Sequence, residues 1–161
     1  MIVRPAQLAD AAQWLELRSE LWRDGRTDHE DEIRRYFTGG LPGLDCVLLA
    51  QEPTRAVGLA ELSIRFYAEG CRSGRVAYLE GWYVRPEAQK AGVGRALIEA
   101  SEQWARSEGC TEFASDARPD NHEGVQAHLH CGFQDVGTIR CFRKPLSSQG
   151  SNTASPRRPR G

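Results

Sequence analysis

A carboxylate and a glycine loop lie close together in the stretch from Val76 to Ala100. Glu80 interrupts an apolar strand, and the loop 89–94 leads directly into an amphipathic helix. The first NH groups of a helix have no partner within it and lie at the positive end of its dipole, so a glycine loop that opens a helix can hold phosphate. The stretch therefore predicts a site for a phosphate-bearing cofactor beside a carboxylate that takes part in chemistry.

The glycine spacing excludes two common phosphate loops. The dinucleotide fingerprint needs a third glycine where this chain has Leu97, and the nucleotide-hydrolase loop needs a Gly-Lys-Ser/Thr sequence that is absent. What remains is Gln89-x-x-Gly92-x-Gly94, placed after a strand that ends near Val84. In this context the chain resembles the GNAT acetyltransferase superfamily, whose pyrophosphate loop has the same pattern.

The resemblance is closer still to one branch of that superfamily, the aminoglycoside 6'-N-acetyltransferases, and it covers nearly the whole chain before residue 147. The segments that carry it are LRSELW (17–22), SIR (63–65), LEGWYV (79–84), EFASDARPDN (112–121), GF (132–133) and FRK (142–144). The resemblance implies acetylation of an aminoglycoside antibiotic at its 6'-amine, which confers resistance. Acetyl-CoA would be the cofactor, and transfer would be direct within a ternary complex.

The resemblance also implies where the cofactor lies. The pyrophosphate would rest on the backbone of the glycine loop, and the pantetheine arm would lie beside the end of the central strand. Backbone NH groups near positions 82–84 would hold the oxyanion, and Gly81 could allow a bulge there. The implied cofactor-binding residues are Trp82, Tyr83, Val84, Gln89, Lys90, Ala91, Gly92, Val93, Gly94, Arg95 and Asn121.

Glu80 is the first candidate catalytic residue, since acetyl transfer needs a neutral acceptor amine. In an extended strand Glu80 shares a face with Tyr78 and Trp82, where an unpaired charge is costly. The alternative is a structural ion pair with Arg65 or Arg118. The resemblance implies that Glu80 binds the substrate ammonium group or accepts its proton through water.

Asp116 is the second candidate catalytic residue, and the resemblance places it at the acceptor site. A helix cap or turn cap is the alternative, because aspartate often bonds nearby backbone NH groups. Trp22 either forms a wall of the substrate site or fills the core, and Tyr67 is a further substrate candidate. No metal is expected, because His128 and His130 do not face each other on a helix.

The proton donor for the CoA thiolate is not evident. In several relatives a tyrosine precedes the terminal arginine–lysine pair, whereas this chain has Phe142 there. Tyr83, Cys141 or water are the alternatives. Two further hypotheses therefore stand beside the aminoglycoside enzyme: a GNAT enzyme that acetylates a polyamine, a small amine or a protein amine, and a catalytically silent module that binds acyl-CoA.

The elements that must position these residues alternate between strands and helices. Their order is a strand, two helices, three strands, a helix, a strand, a helix and a last pair of strands within residues 133–142. This is a mixed α/β (α+β) pattern. By resemblance we expect the GNAT fold, with a single, mostly antiparallel sheet of about six to seven strands, splayed at its centre and flanked by about four helices. Residues 1–146 would form this domain, and residues 147–161, rich in Ser, Pro and Arg, would be disordered.

Composition and charge limit the partners. The 161 residues include five cysteines without a CxxC pair, and no apolar run approaches the ~20 residues that span a membrane. The net charge is -1 and residues 147–161 contribute +3, which leaves -4 for residues 1–146. An acidic body argues against nucleic acid and suits a cationic substrate. We expect a cytoplasmic protein without nucleic-acid or membrane partners, and by analogy with relatives a homodimer formed through the last strands.

Overall fold

One five-stranded sheet and four α-helices make up the part of the chain that the computed structural model describes, residues 1–23 and 28–146. The strands are β1 (Ile2–Pro5), β2 (Cys46–Gln51), β3 (Ala56–Arg65), β4 (Val76–Val84) and β5 (Phe113–Ser115). The helices are α1 (Ala11–Leu21), α2 (His29–Phe37), α3 (Val93–Ser107) and α4 (His122–His130). The tail 147–161, predicted to be disordered, lies outside the described residues.

The splay predicted for the sheet lies between β4 and β5, next to one edge of the described sheet. Its order is β1-β2-β3-β4-β5, the first four strands are antiparallel, and β5 runs parallel to β4. Strand β5 pairs only with Ala77–Leu79, although β4 continues to Val84. Beyond Leu79 the two strands separate. We call the space beside residues 80–84 of β4 and beyond Ser115 of β5 the β4–β5 fork.

Helices cover both faces of the sheet. Helix α3 repeats apolar residues at helical spacing, and its buried side chains pack on one face against β2, β3 and β4. Helices α1 and α2 pack on the opposite face, where Trp14 and Leu17 are fully buried. No described helix has the length and apolar composition that a membrane span requires.

A β-bulge in β4 changes the face on which its last residues lie. Leu79 and Gly81 pair with adjacent residues of β3, so Glu80 is the extra residue of a bulge, in agreement with the prediction from Gly81. After the bulge Trp82 packs on the α3 side, where it contacts Gly94. The prediction that Glu80 and Trp82 share a face is therefore wrong, because the extra residue shifts the alternation by one position.

The last pair of strands is not formed in the described part of the chain, so the sheet has five strands rather than six or seven. Residues 134–146 are described without a strand, and four of their apolar side chains are exposed: Val136, Ile139, Phe142 and Leu146. The physical reason lies in the spacing. Phe133, Val136, Ile139 and Phe142 recur every three residues, whereas one face of a strand repeats every two.

Candidate active site

The free side of β4 provides backbone donors at the β4–β5 fork. The NH of Arg85 donates to the carbonyl oxygen of Val57 in β3, at 2.9 Å. Ladder bonds between antiparallel strands alternate, so the NH of Tyr83 also points toward β3. The NH groups of Trp82 and Val84 then point into the fork. Such donors can stabilise an oxyanion as its charge develops.

The loop that opens α3 has a conformation suited to glycine. Gly92 is the N-cap residue, with φ of 82°, and Lys90 also has a positive φ of 62°. The first helical bond runs from the NH of Ala96 to the carbonyl oxygen of Gly92, at 3.0 Å. The NH groups of residues 93–95 consequently have no acceptor within the 15-residue helix. This row of donors at the positive end of a helix is an arrangement that binds phosphate.

Gly94 allows close approach between this loop and β4. A Cβ at position 94 would lie 3.0 Å from Cζ2 of Trp82. Among the described residues, the buried indole Nε1 of Trp82 has no hydrogen-bond partner. A buried donor without a partner is uncommon and costly, and a ligand with acceptor oxygens could satisfy it. The loop, the indole and the fork therefore fit a long ligand that carries a pyrophosphate and amide carbonyls.

The two predicted catalytic carboxylates are joined through Arg65 and Tyr78. Arg65 donates to both oxygens of Glu80, from Nε to Oε1 at 2.9 Å and from Nη2 to Oε2 at 2.6 Å. Its guanidinium carbon lies 3.4 Å from the centre of the Tyr78 ring. The Tyr78 hydroxyl donates to Asp116 at 2.6 Å. Burial, and then the bond to Asp116, raise the pKa of Tyr78, which therefore stays a neutral donor.

The ion pair considered as an alternative role for Glu80 is present, and its partner is Arg65. Arg118 pairs instead with Asp120. Pairing does not hide Glu80, because its side chain is 26% exposed and lines a cavity of about 270 Å³. The exposed carboxylate of Asp116 accepts the hydrogen bond from the Tyr78 hydroxyl. Among the described residues, no backbone NH donates to it, as a helix cap or turn cap would require.

Another carboxylate, Glu61, lines the same cavity and is buried, and the sequence pattern does not single it out. Its side chain is 2% exposed, accepts a bond from Nε1 of Trp14 at 2.6 Å, and lies 3.1 Å from Nε of Arg18. Burial raises the pKa of Glu61 to about 7, and the charge of Arg18 opposes that shift. One feature of the sequence could have identified Glu61: it is an acid within the apolar run 57–62, and a buried acid needs a partner.

The cavity is acidic and has an aromatic wall. Glu32, Glu61 and Glu80 line it together with one base, Arg18, whose Nη2 pairs with Glu32 at 2.6 Å. Trp22 also lines it and packs on the bulge, since a Cβ on Gly81 would lie 2.7 Å from its ring. Of the two alternatives for Trp22, the geometry favours the wall. A cavity of this charge suits a cationic ligand.

Three predicted site residues use their side chains elsewhere. Tyr67 is exposed and donates to Glu69 at 2.9 Å. Asn121 caps α4 by accepting the NH of Gly124 at 3.0 Å, and the guanidinium of Arg95 donates to the carbonyl oxygen of His130 at 3.0 Å. Within residues 1–23 and 28–146, no group of three or more possible metal ligands comes together.

The fold and the candidate site are those expected of an acetyltransferase, and the chain belongs to the acetyltransferase (GNAT) family, whose model matches residues 11–133. The aminoglycoside N(6')-acetyltransferase type 1 of Klebsiella aerogenes is 52% identical over 147 residues, which are 90% of this chain and 97% of that relative.

Solved structures agree with this assignment. Aminoglycoside antibiotic 6'-N-acetyltransferase AAC(6')-IG from Acinetobacter haemolyticus superimposes with a TM-score of 0.83 at 37% identity, covering 91% of this chain and all (100%) of that one. AAC(6')-Iy in complex with the bisubstrate analogue CoA-S-monomethyl-acetylneamine gives a TM-score of 0.82 at 31% identity, covering 90% and 98%. The predicted family and GNAT fold are confirmed.

Proposed function

We propose that this protein transfers the acetyl group of acetyl-CoA to the 6'-amine of an aminoglycoside antibiotic, directly within a ternary complex, and thereby confers resistance. One observation carries the proposal: the bulge at Glu80 and Gly81 lies between the β4–β5 fork and the acidic cavity. A donor in the fork and a cationic acceptor in the cavity would meet at this bulge. The aminoglycoside N(6')-acetyltransferase relatives support the choice of substrate.

The chain's own groups would hold and activate the donor. Acetyl-CoA supplies an activated acyl group on a thiolate that can leave. The NH groups of residues 93–95 would bind its pyrophosphate at the start of α3. The indole Nε1 of Trp82 would bond an amide oxygen of the pantetheine arm. The backbone NH groups of Trp82 and Val84 would stabilise the thioester oxygen as it gains charge.

Substituting Gly94 with valine tests the donor site. The new side chain would push against Trp82, because a Cβ there already lies 3.0 Å from the indole. We expect the Kd for CoA, measured by titration calorimetry, to rise about fivefold or more, about 1 kcal/mol. Gly74→Val is the matched control, since a Cβ at position 74 meets nothing within 4 Å. Equal CoA affinities in the two variants would contradict this donor site.

Glu80 would orient the acceptor with its remaining hydrogen-bonding capacity. A carboxylate offers about four acceptor positions. The hydroxyl of Ser63 and Nε of Arg65 donate to Oε1, and Nη2 of Arg65 donates to Oε2. One position on Oε2 is then open for the substrate ammonium group, or for a water that takes its proton. Glu32, which also lines the cavity, and Asp116, which is exposed, would add attraction for the other ammonium groups of the antibiotic.

Release of CoA with a panel of amines tests the proposed function. We expect kanamycin and tobramycin to release CoA with the highest kcat/KM. A polyamine such as spermidine is the second candidate, because the acidic cavity would also attract a flexible polycation. A far higher kcat/KM with spermidine, or with a lysine peptide, would mean that this amine, and not an aminoglycoside, is the substrate. Tight CoA binding without turnover of any amine would mean a silent binding module.

The proposal extends to a homodimer formed through residues 134–146, working in the cytoplasm where acetyl-CoA is available. Two observations support the dimer: this segment exposes four apolar side chains, and β5 is the edge strand of the described sheet. Unpaired edges and exposed apolar rows are surfaces that a second copy can cover.

Light scattering of the purified protein tests the dimer. We expect a mass of twice 17.9 kDa, and Phe142→Glu should shift the population toward the monomer because it places a charge in the interface. Glu87 is exposed, lies outside residues 134–146 and pairs with Arg55, so Glu87→Gln is the control variant and should leave the mass unchanged. A wild-type protein that stays monomeric at all concentrations would contradict the dimer.

A further inference from the structure

A serine and a histidine form a hydrogen-bonded pair at the β4–β5 fork, apart from the residues that hold the donor and the acceptor. Ser115 ends β5 and pairs with Leu79, the last residue of β4 before the strands separate. Its Oγ lies 2.9 Å from Nε2 of His128 in α4, and 3.3 Å from the carbonyl oxygen of Leu79. The imidazole packs edge-on against Trp82, with 5.3 Å between the ring centres. The pair therefore lies beside the residue whose NH points into the fork.

The second nitrogen of His128 has a fixed role. Its Nδ1 lies 2.6 Å from the carbonyl oxygen of Gly124, one helical turn earlier. A carbonyl oxygen only accepts, so Nδ1 carries a hydrogen whether the ring is neutral or charged. Nε2 is then the nitrogen that gains and loses a proton, and Nε2 is the atom that faces Ser115.

The pair can hold a proton in two arrangements without moving a heavy atom. When Nε2 is bare, the Ser115 hydroxyl donates to it. When Nε2 is protonated, it donates to Oγ of Ser115, and the hydroxyl hydrogen can turn to the carbonyl oxygen of Leu79 or to a ligand in the fork. The groups packed on the imidazole are Trp82, Ser115, Phe133 and Gly124, and none of these four carries a charge. The chain of bonds is thus suited to moving one proton.

The other candidates for a proton donor are less well placed. Burial and a hydrogen bond to Glu20 raise the pKa of Tyr83, and its ring packs on the α1 side of the sheet. Cys141 and Phe142 lie exposed in residues 134–146, and Phe142 has no hydroxyl.

We propose that Ser115 and His128 together return the proton to the CoA thiolate, an inference that rests on the proposed function. As the C–N bond forms, the C–S bond breaks and its electron pair goes to sulfur. The Ser115 hydroxyl gives its proton to the sulfur and takes one from Nε2 of His128, so that the imidazolium becomes neutral and the thiolate becomes a thiol. The proton lost by the acceptor amine leaves through Glu80 or water. Ser115 is the group in contact with the sulfur, and His128 acts through it.

The kinetic test uses His128→Gln and Ser115→Ala. Glutamine can keep hydrogen bonds but cannot carry the proton, so kcat for acetyl transfer should fall about tenfold to a hundredfold in both variants. The Kd for CoA should change by less than about threefold, which shows that both variants fold. His130→Gln is the matched control. His130 makes the same type of bond, from Nδ1 to the carbonyl oxygen of Gln126 at 2.7 Å, but it is exposed. Its kcat should stay within about twofold of wild type.

A second test needs no acceptor and no turnover. In protein with isotope-labelled histidines, we expect the imidazole NMR signals of His128 to differ between complexes with CoA and with desulfo-CoA, which lacks the thiol. The difference should vanish in Ser115→Ala, and the His130 signals should be the same in both complexes. Identical His128 signals in the two wild-type complexes would overturn the proposal, and so would an unchanged kcat in either Ser115→Ala or His128→Gln. If no aminoglycoside is acetylated, the proposed function fails, while this comparison still decides the role of the pair.

Discussion

Replacing Glu80 with glutamine is expected to lower kcat/KM for kanamycin about tenfold or more, equivalent to about 1.4 kcal/mol of transition-state stabilisation. Glu80 lies on the bulge between the β4–β5 fork and the acidic cavity, so its free acceptor position can orient the amine toward the thioester. The amide has one acceptor oxygen instead of two. It must give up either a bond from Arg65 or the bond to the substrate. Steady-state kinetics with CoA release measure the effect.

A matched control separates this effect from the loss of an ion pair. Glu102 pairs with Arg106 at 2.8 Å along α3, and its partner is exposed. Glu102→Gln should change kcat/KM by less than about twofold, because exposed pairs within a helix contribute little. The Kd for CoA should be unchanged in both variants. If Glu80→Gln keeps the wild-type kcat/KM, Glu80 has no part in the mechanism.

Glu61 is expected to make the protein less stable as the pH rises. Burial raises its pKa from an ordinary value of 4.5 to about 7, so between these values the folded protein binds more protons than the unfolded chain. The contribution of Glu61 to stability is therefore complete below about pH 4.5 and is lost as the pH rises through about 7. The loss could reach about 3 kcal/mol.

Urea unfolding of wild type and Glu61→Gln at about pH 5 and about pH 8 measures this contribution. Wild type should lose more unfolding free energy between the two pH values than the variant, because glutamine does not titrate. Other groups contribute to the pH dependence of stability with the opposite sign. Asp10 is one, because the hydrogen bond from Arg4 holds its pKa below the usual range. Their contributions are the same in both proteins and cancel when the two losses are subtracted. Equal losses in the two proteins would mean that Glu61 does not titrate in this window.

The strand, loop and helix of the proposed donor site could be predicted from sequence because their pattern is local. The loop Gln89-x-x-Gly92-x-Gly94 requires only that a strand precede it and a helix follow it, and the structure has both. Gly81 was expected only to allow a bulge, and the extra residue of the bulge is Glu80, immediately before it. The face of Trp82 could not be predicted, because strand alternation holds only while the register is unbroken, and one extra residue reverses it.

The acceptor half depends on contacts between distant parts of the chain. Glu61 meets Trp14 across 47 positions, and Tyr78 meets Asp116 across 38. The residues near Glu61 in the sequence do not indicate that Arg18 of α1 will pair with it. The last pair of strands was predicted but is not formed in residues 134–146, because apolar residues show that a segment needs a partner surface and do not say whether a sheet edge supplies it.

Locating the acetyl group on the product tests the central claim most directly. Neomycin and paromomycin form a matched pair, since paromomycin carries a hydroxyl in place of the 6'-amine. We expect CoA release with neomycin, one added acetyl group by mass spectrometry and its assignment to the 6'-nitrogen by NMR, with little or no release from paromomycin. An acetyl group on a different amine, or equal turnover of the two drugs, would contradict the proposed acceptor site.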